Sequence, residues 1–327
     1  MLPAFNSPSG YPYVTFDFET GKPVKDPYGS LANVGTCQLE FTRLSLLTGD
    51  NKYRQAALKV FDTLDKNKAG KGLYYNEVNI QTGKYASTSF SLGAGADSFF
   101  EYLIKLYIML GPKDTTRNKY LTMFDDSMTV MKQKLLTKCY KNRLCLGHTD
   151  SSGRLINEMH HLEFFIPAML LLGNEHLPSK GLKPIALDLL ETYSAIPQLT
   201  VTGLAPENTR FSNTSEIQVA SRQNYLRPEL VESLFYGYRN TEDKKYQDRS
   251  YALFKAFQTY SKTNYGFAEY MDVNSKDKQQ QQHDVMGSFF YAEAMKYMYL
   301  IHAPKNTFDF SKWVFNTEAH PFKISNA

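Results

Sequence analysis

Apolar residues recur at helical spacing in blocks along the chain, and most blocks are followed by a second one after a short polar break. This spacing predicts an all-α protein with minor β-hairpins in the segments between helix pairs. The predicted helices, in chain order, cover residues 36–47 and 51–64, 98–109 and 116–136, 160–172 and 182–193, a helix from 228 paired with 244–260, and a last inner helix at 288–301.

Glutamates near the start of the first helix of each pair mark a repeat. The intervals between them are 61, 62, 69 and 61 residues. A unit of this length exceeds the roughly 33 to 47 residues of common helical solenoids and favours a ring of helical hairpins, whose inner helices project residues from their ends into a central cavity. We therefore expect about five helical hairpins in one domain over residues 1–327. The marker residues are Glu40, Glu101, Glu163, Glu232 and Glu293.

Charge and hydropathy exclude two classes of partner. The chain carries 37 basic and 33 acidic residues, a net charge of +4, with no basic block, so nucleic acid is not an expected partner. No run of about 18 apolar residues is present, so no membrane span is predicted. Aromatic residues make up 14% of the chain. Most are expected to fill the core, although such rings also stack on sugars.

The three cysteines are too few for a disulfide scaffold. Cys139 and Cys145 are close enough in sequence to bridge a small loop, and the sequence leaves open whether they do. The triplet Asn213-Thr-Ser is a possible acceptor for N-glycosylation, but such triplets are also common by chance.

The most informative stretch is 223–239, where three charged residues surround Pro228. We expect an extended approach ending at Arg227, with Pro228 as the first helical residue and Glu229 and Glu232 in the first turn. Carboxylates are favoured there by the helix dipole, so a helix start with a local ion pair is one interpretation. The second is an active site. It is favoured because carboxylates also lie at other inner-helix starts, Asp97 among them.

Several short motifs occur in a fixed order from residue 2 to residue 322, and their set resembles glycoside hydrolase family 47, the class I α-1,2-mannosidases. They are Leu2-Pro-Ala-Phe, Gln38-Leu-Glu-Phe with Leu47-Thr-Gly-Asp, Ala96-Asp-Ser-Phe-Phe-Glu-Tyr-Leu, Leu226-Arg-Pro-Glu-Leu-Val-Glu-Ser, Ser288-Phe-Phe with Glu293, and Phe315-Asn-Thr-Glu-Ala-His. The resemblance implies an (α/α)7 barrel plugged by a β-hairpin, inverting hydrolysis and a bound calcium ion.

The same resemblance implies two catalytic carboxylates. Inverting hydrolysis needs one group to protonate the leaving oxygen and another to activate a water on the opposite face of the sugar. Glu229 matches the general base, and Asp97 matches a second catalytic carboxylate that acts as acid or as orienting group. Each also has a simpler interpretation as a residue that caps or opens a helix.

The remaining site residues are implied in the same way. Thr317 matches the calcium-binding threonine, which supplies its hydroxyl and carbonyl oxygens; calcium readily takes neutral oxygen ligands. Arg227 would hold a carboxylate or sugar oxygen, Phe289 would stack under the mannose ring, and His161 matches a cavity histidine. Without the resemblance, Phe289 would be a core residue and the C-terminal acids part of a solvated tail. The acids expected around the metal and the sugar are Glu229, Glu232, Glu293 and Glu318.

The match has departures. A Phe-Glu-x-x-Ile-Arg stretch that carries a candidate proton donor would lie upstream of Leu2, which suggests a fragment with an incomplete barrel. Asn33 stands where the family has a cavity glutamate. Phe164 and Tyr193 replace a pair of bridging cysteines. Gly95, where some members carry a large side chain, suggests broader trimming of mannose branches.

Two functions of different classes follow. The first is a calcium-dependent α-1,2-mannosidase that acts on high-mannose N-glycans in the lumen of the endoplasmic reticulum or Golgi, or after secretion, as a monomer; no targeting segment is visible. The second is a relative that binds mannose-rich glycans without cleaving them. A helical-repeat scaffold would explain the repeat but not the carboxylates at the helix starts.

Overall fold

The computed structural model describes residues 1–325, with the backbone alone at residue 140. Its helices are α1 (Leu31–Gly35), α2 (Gln38–Thr48), α3 (Lys52–Asn67), α4 (Asp97–Leu110), α5 (Asn118–Lys134), α6 (Ile166–His176), α7 (Leu182–Ala195), α8 (Glu229–Thr241), α9 (Lys245–Ala256), α10 (Lys278–Gln281) and α11 (Lys296–Leu300).

The strands are all short, and every named pairing between them is antiparallel. They are β1 (Phe16–Asp17), β2 (Lys22–Pro23), β3 (Tyr28–Ser30), β4 (Glu77–Asn79), β5 (Leu136–Lys138), β6 (Leu144–Leu146), β7 (His148–Thr149), β8 (Leu155–Ile156), β9 (Glu158–His160), β10 (Asn208–Arg210), β11 (Gln218–Ser221), β12 (Glu269–Tyr270), β13 (Gln282–His283), β14 (Trp313–Phe315) and β15 (Pro321–Lys323).

The predicted helices are confirmed, most of them with boundaries within a few residues. The exception is the helix predicted at 160–172, which is a 3-10 segment at His161–Phe165 followed by α6. Consecutive helices pack as pairs: α2 with α3, α4 with α5, α6 with α7 and α8 with α9. The last predicted inner helix consists of a π-helical segment, Phe290–Met295, followed by α11. After it, the described chain continues as a short turn and the β14–β15 hairpin. Within the described residues, the fifth predicted helical hairpin therefore consists of its first helix alone. No helix among residues 1–325 is long and apolar enough to cross a membrane.

Two compact units divide the chain. The first contains residues 1–135, 148–156 and 310–325, and the second contains 136–147 and 157–309. The site residues expected from the sequence are therefore distributed over both units, and each unit is described separately below.

The core of the first unit surrounds α4. This helix is apolar on almost every side and is buried from Phe99 to Leu110, as expected for a helix enclosed by other elements. Phe99 packs edge-on against Phe61 of α3, with ring centroids 5.5 Å apart, and contacts Tyr74 at 5.0 Å. The inner helix is thereby fixed by aromatic packing, with Asp97 at its start.

In the second unit, α6 and α8 pack together, and Gly237 allows α8 to approach α7 closely. A Cβ at Gly237 would lie 2.6 Å from Leu190 Cδ2, so a larger residue there would push the helices apart. Cys139 and Cys145 form a disulfide between the ends of β5 and β6, which settles the alternative left open by the sequence.

The prediction for the start of α8 was wrong. Pro228 is the residue before α8 rather than its first residue, and the approach is not extended, because Leu226 is left-handed at φ 60°. The glutamine-rich segment 276–282 contains α10, and Gln282 begins β13. The side-chain amide of Gln282 donates to the carbonyls of Tyr260 and Lys262.

Candidate active-site residues in the two units

The approach to α8 is held in an unfavourable backbone conformation. Leu226 is fully buried and has φ 60°, a region that residues with a Cβ rarely adopt. Its N–H donates to Asn224 Oδ1 at 3.1 Å, and the Asn224 amide donates to the Ala205 carbonyl at 2.7 Å. This buried turn fixes the backbone next to Arg227 and thereby the direction of the Arg227 side chain. Such strain persists only where the surrounding structure imposes it, and it is typical of functional sites.

Arg227 forms a two-pronged ion pair with Glu207. Its Nε lies 2.8 Å from both carboxylate oxygens, and its Nη2 lies 2.8 Å from Oε1. The main chain of Glu207 also accepts from His161 N–H at 2.8 Å, which joins the first turn of the helical segment at 161–165 to the same loop. The guanidinium is thus positioned by a carboxylate, one of the two roles predicted for it.

Glu229 begins α8, and one of its carboxylate oxygens is enclosed. Oε2 is buried and has no hydrogen-bond partner among the described residues. Burial raises the pKa of Glu229 to about 8, against the effect of neighbouring Arg227, while Glu232 and Glu207 add to the rise. A carboxylate with an unpaired oxygen and a pKa near neutrality is suited to accept a proton, as a general base must.

Glu232 and Glu293 are both buried, at 6% exposure each. Glu232 lies one turn after Glu229 on α8, and its Oε1 accepts from Tyr297 Oη at 3.2 Å. Tyr297 lies on α11, one turn after Glu293, so this bond ties α8 to the last inner helix. Glu232 and Glu293 therefore lie inside this unit and not on its surface.

Phe289 lies immediately before the π-helical segment and is half-buried, so it is not the enclosed core residue of the simpler interpretation. Gly287 makes room for its ring: a Cβ there would lie 2.4 Å from Phe289 Cε1. The glycine two residues earlier thus determines where the ring can lie.

His161 is enclosed in the second unit, and its ring lies 4.9 Å from that of Phe164 at a tilt of 37°. Neither ring nitrogen has a hydrogen-bond partner among the described residues. Burial, together with a smaller effect of the nearby Arg227, lowers the pKa of His161 to about 3, so the ring is neutral. His160, the preceding residue, lies in β9 and pairs with Asn208 of β10.

In the first unit, Asp97 is the first residue of α4 and is half-buried. The residue before the helix is Ala96, so Asp97 does not serve as the N-cap considered in the sequence analysis. Its Oδ1 accepts from the N–H of Ser98 at 2.8 Å. The Ser98 hydroxyl in turn lies 2.8 Å from the hydroxyl of Thr36, which connects the helix start to the segment before α2.

Thr317 and Glu318 lie in the turn between β14 and β15. This turn is anchored by Asn316, whose Oδ1 accepts from the N–H groups of Glu318 at 3.0 Å and His320 at 2.7 Å. Ala319 closes the turn with φ 55°. Glu318 and His320 are exposed, whereas Asn316 is buried. The Thr317 N–H lies 3.5 Å from Tyr102 Oη of α4, which places the turn against the helix that Asp97 opens.

Thr317 fits the ligand role expected for it. Its hydroxyl and its carbonyl oxygen have no hydrogen-bond partner among the described residues. Two free neutral oxygens are ligands that calcium accepts. Across residues 1–325, no three His, Cys, Asp or Glu side chains are grouped so that they could hold a metal ion. A metal at Thr317 would therefore complete its coordination with water or substrate hydroxyls.

Four residues at which the sequence departs from the pattern of the family it resembles have structural roles here. Asn33 is the third residue of α1 and completes a capping box with the N-cap Ser30: its Oδ1 accepts from the Ser30 hydroxyl at 2.7 Å, and the Asn33 N–H donates back to that hydroxyl at 3.0 Å. Gly95 has φ 83°, a conformation that favours glycine for backbone reasons alone. Phe164 and Tyr193 are fully buried and stack with ring centroids 4.5 Å apart, so an aromatic pair occupies the position of the missing cysteines.

The residues that support the predicted site residues were not predicted from the sequence. Glu207, Tyr297 and Asn316 hold Arg227, Glu232 and the Thr317 turn, respectively. Asn316 immediately precedes Thr317 in the Phe315-Asn-Thr-Glu-Ala-His motif, and that position could have indicated its role in holding the turn. Glu207 and Tyr297 are separated from their partners by 20 and 65 residues, and no local pattern marks them.

Comparison with known proteins agrees with the resemblance. The sequence model of glycosyl hydrolase family 47 matches residues 1–324. Mannosyl-oligosaccharide 1,2-alpha-mannosidase MNS1 of Arabidopsis thaliana is 38% identical over 99% of this chain and 58% of its own length. The endoplasmic reticulum mannosyl-oligosaccharide 1,2-alpha-mannosidase of Homo sapiens is 35% identical over 99% of this chain and 48% of its own.

A solved structure gives the same result. The alpha-1,2-mannosidase from Trichoderma reesei superimposes with a TM-score of 0.90 at 28% identity, covering 99% of this chain and 72% of the other. The predicted fold class, all-α with minor β-hairpins of the (α/α)7 type, is confirmed. The fold is the helical-hairpin architecture of that structure. The chain belongs to glycosyl hydrolase family 47, and it spans about half the length of the curated relatives that it matches.

Proposed function

We propose that this protein removes terminal α-1,2-linked mannose from high-mannose N-glycans with inversion at the anomeric carbon. The observation that carries the proposal is Glu229, a carboxylate with one buried, unpaired oxygen and a pKa near neutrality at the start of an inner helix. The names of the similar plant and human proteins support the substrate class.

In this mechanism, Glu229 accepts the proton of the attacking water, and Asp97 is the second catalytic carboxylate that inverting hydrolysis requires. Arg227, held by Glu207, and the buried Glu232 and Glu293 form polar contacts with the sugar. Phe289 supplies an apolar face for the ring, since sugars pack their C–H surfaces on aromatic rings.

We propose calcium as the cofactor, with Thr317 as its protein ligand through the hydroxyl and carbonyl oxygens and Glu318 beside it. When bound, calcium would orient mannose hydroxyls and stabilise negative charge on oxygen. The turn anchored by Asn316 keeps both Thr317 oxygens unpaired.

We place the protein in the lumen of the secretory pathway, where N-glycans are processed. The name of the human relative and the Cys139–Cys145 disulfide support this, because disulfides persist in oxidising compartments. Glycoproteins with high-mannose glycans would be its partners, and we expect it to act as a monomer.

The experiment is hydrolysis of α-1,2-mannobiose by the 327-residue protein, followed by proton NMR. β-Mannose is the expected first product, because inversion of an α-linkage gives the β-anomer. Chelation with EDTA should abolish turnover, and added calcium should restore it. Glu229→Gln should bind the disaccharide without cleaving it. Binding without cleavage by the wild-type protein would instead identify a glycan-binding relative.

A further inference from the structure

The loop between β10 and β11 carries a feature that the proposed catalysis does not use. Asn213-Thr-Ser is the only Asn-x-Ser/Thr triplet, with x other than proline, in the 327-residue sequence. Such a triplet is the acceptor signal for N-linked glycosylation, provided that it lies on an accessible surface of a protein in the secretory pathway.

The loop is folded so that the acceptor faces solvent. Residues 213–216 are all exposed. Ser212 Oγ accepts from the N–H groups of Thr214 at 3.3 Å and Ser215 at 3.0 Å, which curls the main chain around that hydroxyl. The Asn213 amide takes part in no hydrogen bond among the described residues. A sugar on its Nδ2 would therefore displace no contact of the folded protein.

The surroundings of the loop indicate an oxidising compartment. Glu216, at the end of the exposed stretch, pairs at 3.4 Å with Lys141, which lies inside the small loop closed by the Cys139–Cys145 disulfide. Disulfides form in the same compartments in which N-glycans are attached. The loop that bears the acceptor and the loop that bears the disulfide thus meet on one face of the second unit.

The position of the loop keeps a glycan away from Arg227. β10 begins at Asn208, next to Glu207, which holds Arg227, and runs away from it toward the loop. At about 3.3 Å of rise per residue, β10 carries the chain roughly 7 Å from Asn208 to Arg210, and Asn213 lies three residues beyond that end of the strand. A glycan at the loop would project from the end of the hairpin opposite this ion pair.

We propose that Asn213 is itself N-glycosylated. The reaction forms a bond between Asn213 Nδ2 and C1 of an oligosaccharide carried on a polyprenyl pyrophosphate, and it breaks the bond from C1 to that pyrophosphate. The pyrophosphate departs with the electron pair, and the amide proton passes to a base of the transferring enzyme. This inference rests on the secretory location in the proposed function.

The test is expression of the full chain behind a cleavable secretion leader in a eukaryotic host, with analysis of both the secreted and the lumenal protein. We expect one N-glycan, removed by peptide N-glycosidase with conversion of Asn213 to aspartate in the tryptic peptide. Asn213→Gln and Ser215→Ala should each abolish it. Thr214→Ala and Ser215→Thr, which preserve the acceptor signal, should keep it and serve as matched controls.

An unmodified Asn213 peptide in wild-type protein, or a glycan that persists in Asn213→Gln, would overturn the inference. Hydrolysis of α-1,2-mannobiose is measured on the same samples and should be unchanged in Asn213→Gln. A glycosylated protein without hydrolysis would contradict the proposed activity while supporting the modification site, so the two failures are distinguishable.

Discussion

Asn316 Nδ2 donates to Glu40 Oε1 at 2.8 Å, although 276 residues separate them in sequence. Glu40 Oε1 also accepts from Tyr102 Oη at 2.7 Å. Asn316 Oδ1 accepts from the N–H groups of Glu318 and His320, so both polar atoms of the side-chain amide form hydrogen bonds. One amide thus fastens the Thr317 turn to helix α2 within the first unit.

Asn316→Ala should lower the free energy of unfolding by about 1–3 kcal/mol, because it leaves buried polar groups, including a Glu40 oxygen, without this partner. The measurement is urea unfolding followed by circular dichroism. Asn306→Ala is the control: it removes an exposed asparagine and should change stability by at most about 0.5 kcal/mol. Equal stability of both variants would show that Asn316 does not anchor the turn.

A second prediction concerns Glu101 and Lys105, which form an ion pair inside the first unit at 3% and 1% exposure. Lys105 also donates to the Asn316 carbonyl at 3.3 Å. Lys105→Met should cost about 3–5 kcal/mol, because it leaves a buried carboxylate without its partner.

The double variant Glu101→Leu/Lys105→Met is the matched control, since it removes both charges together. Replacing a buried pair by apolar residues is often neutral, so we expect it to recover most of the loss. Urea unfolding of Glu101→Leu, Lys105→Met and the double variant gives the coupling free energy between the two residues. If the double variant were less stable than Lys105→Met, desolvation of the unpaired charge would not be the cause.

Phe164 and Tyr193 give a third prediction. Because the stacked rings are fully buried, Phe164→Ala should destabilise the protein by about 3–5 kcal/mol through the cavity that it leaves. Tyr265→Ala is the comparison, since Tyr265 is completely exposed and its loss should matter little. Thermal unfolding measures both, and equal midpoints would mean that the stack contributes no packing energy.

Stability should also depend on the titration of Glu229. Its folded-state pKa of about 8 lies above the ordinary value of 4.5. Between these values the unfolded chain releases the proton and the folded protein keeps it, so rising pH lowers the free energy of unfolding by up to about 1.4 kcal/mol per pH unit. Below pH 4.5 this loss of unfolding free energy has not begun, and above pH 8 it has reached its full value. The charged neighbours are Arg227, Glu232 and Glu207.

Glu229→Gln removes this titration. Its stability relative to the wild type should therefore rise from pH 4.5 to pH 8 and be level outside that window. Urea unfolding at a series of pH values is the measurement, with Glu318→Gln, at an exposed position, as the control. A difference between Glu229→Gln and wild type that does not vary with pH would contradict a raised pKa.

Periodicity predicted the helices because their burial follows from local spacing, as the packing of α4 against α3 and Tyr74 illustrates. The positions of Asp97 and Glu229 at helix starts were predictable for the same reason. The left-handed Leu226 was not, because its conformation is imposed by Asn224 through a buried hydrogen bond. The ion pair of Arg227 with Glu207 depends on how an irregular loop folds, which residue spacing does not encode.

The last prediction tests the placement of Phe289 without changing Phe289 itself. A methyl group at position 287 would lie 2.4 Å from the Phe289 ring, so Gly287→Ala must displace it. If the ring packs on mannose, the KM for α-1,2-mannobiose should rise by about twofold to twelvefold, which corresponds to the 0.5–1.5 kcal/mol of an aromatic contact. Gly266→Ala is the control, because its added methyl would meet only the flexible Met286 side chain, at 3.4 Å. An unchanged KM in Gly287→Ala, with the thermal midpoint also unchanged, would mean that the position of the Phe289 ring does not matter for substrate binding.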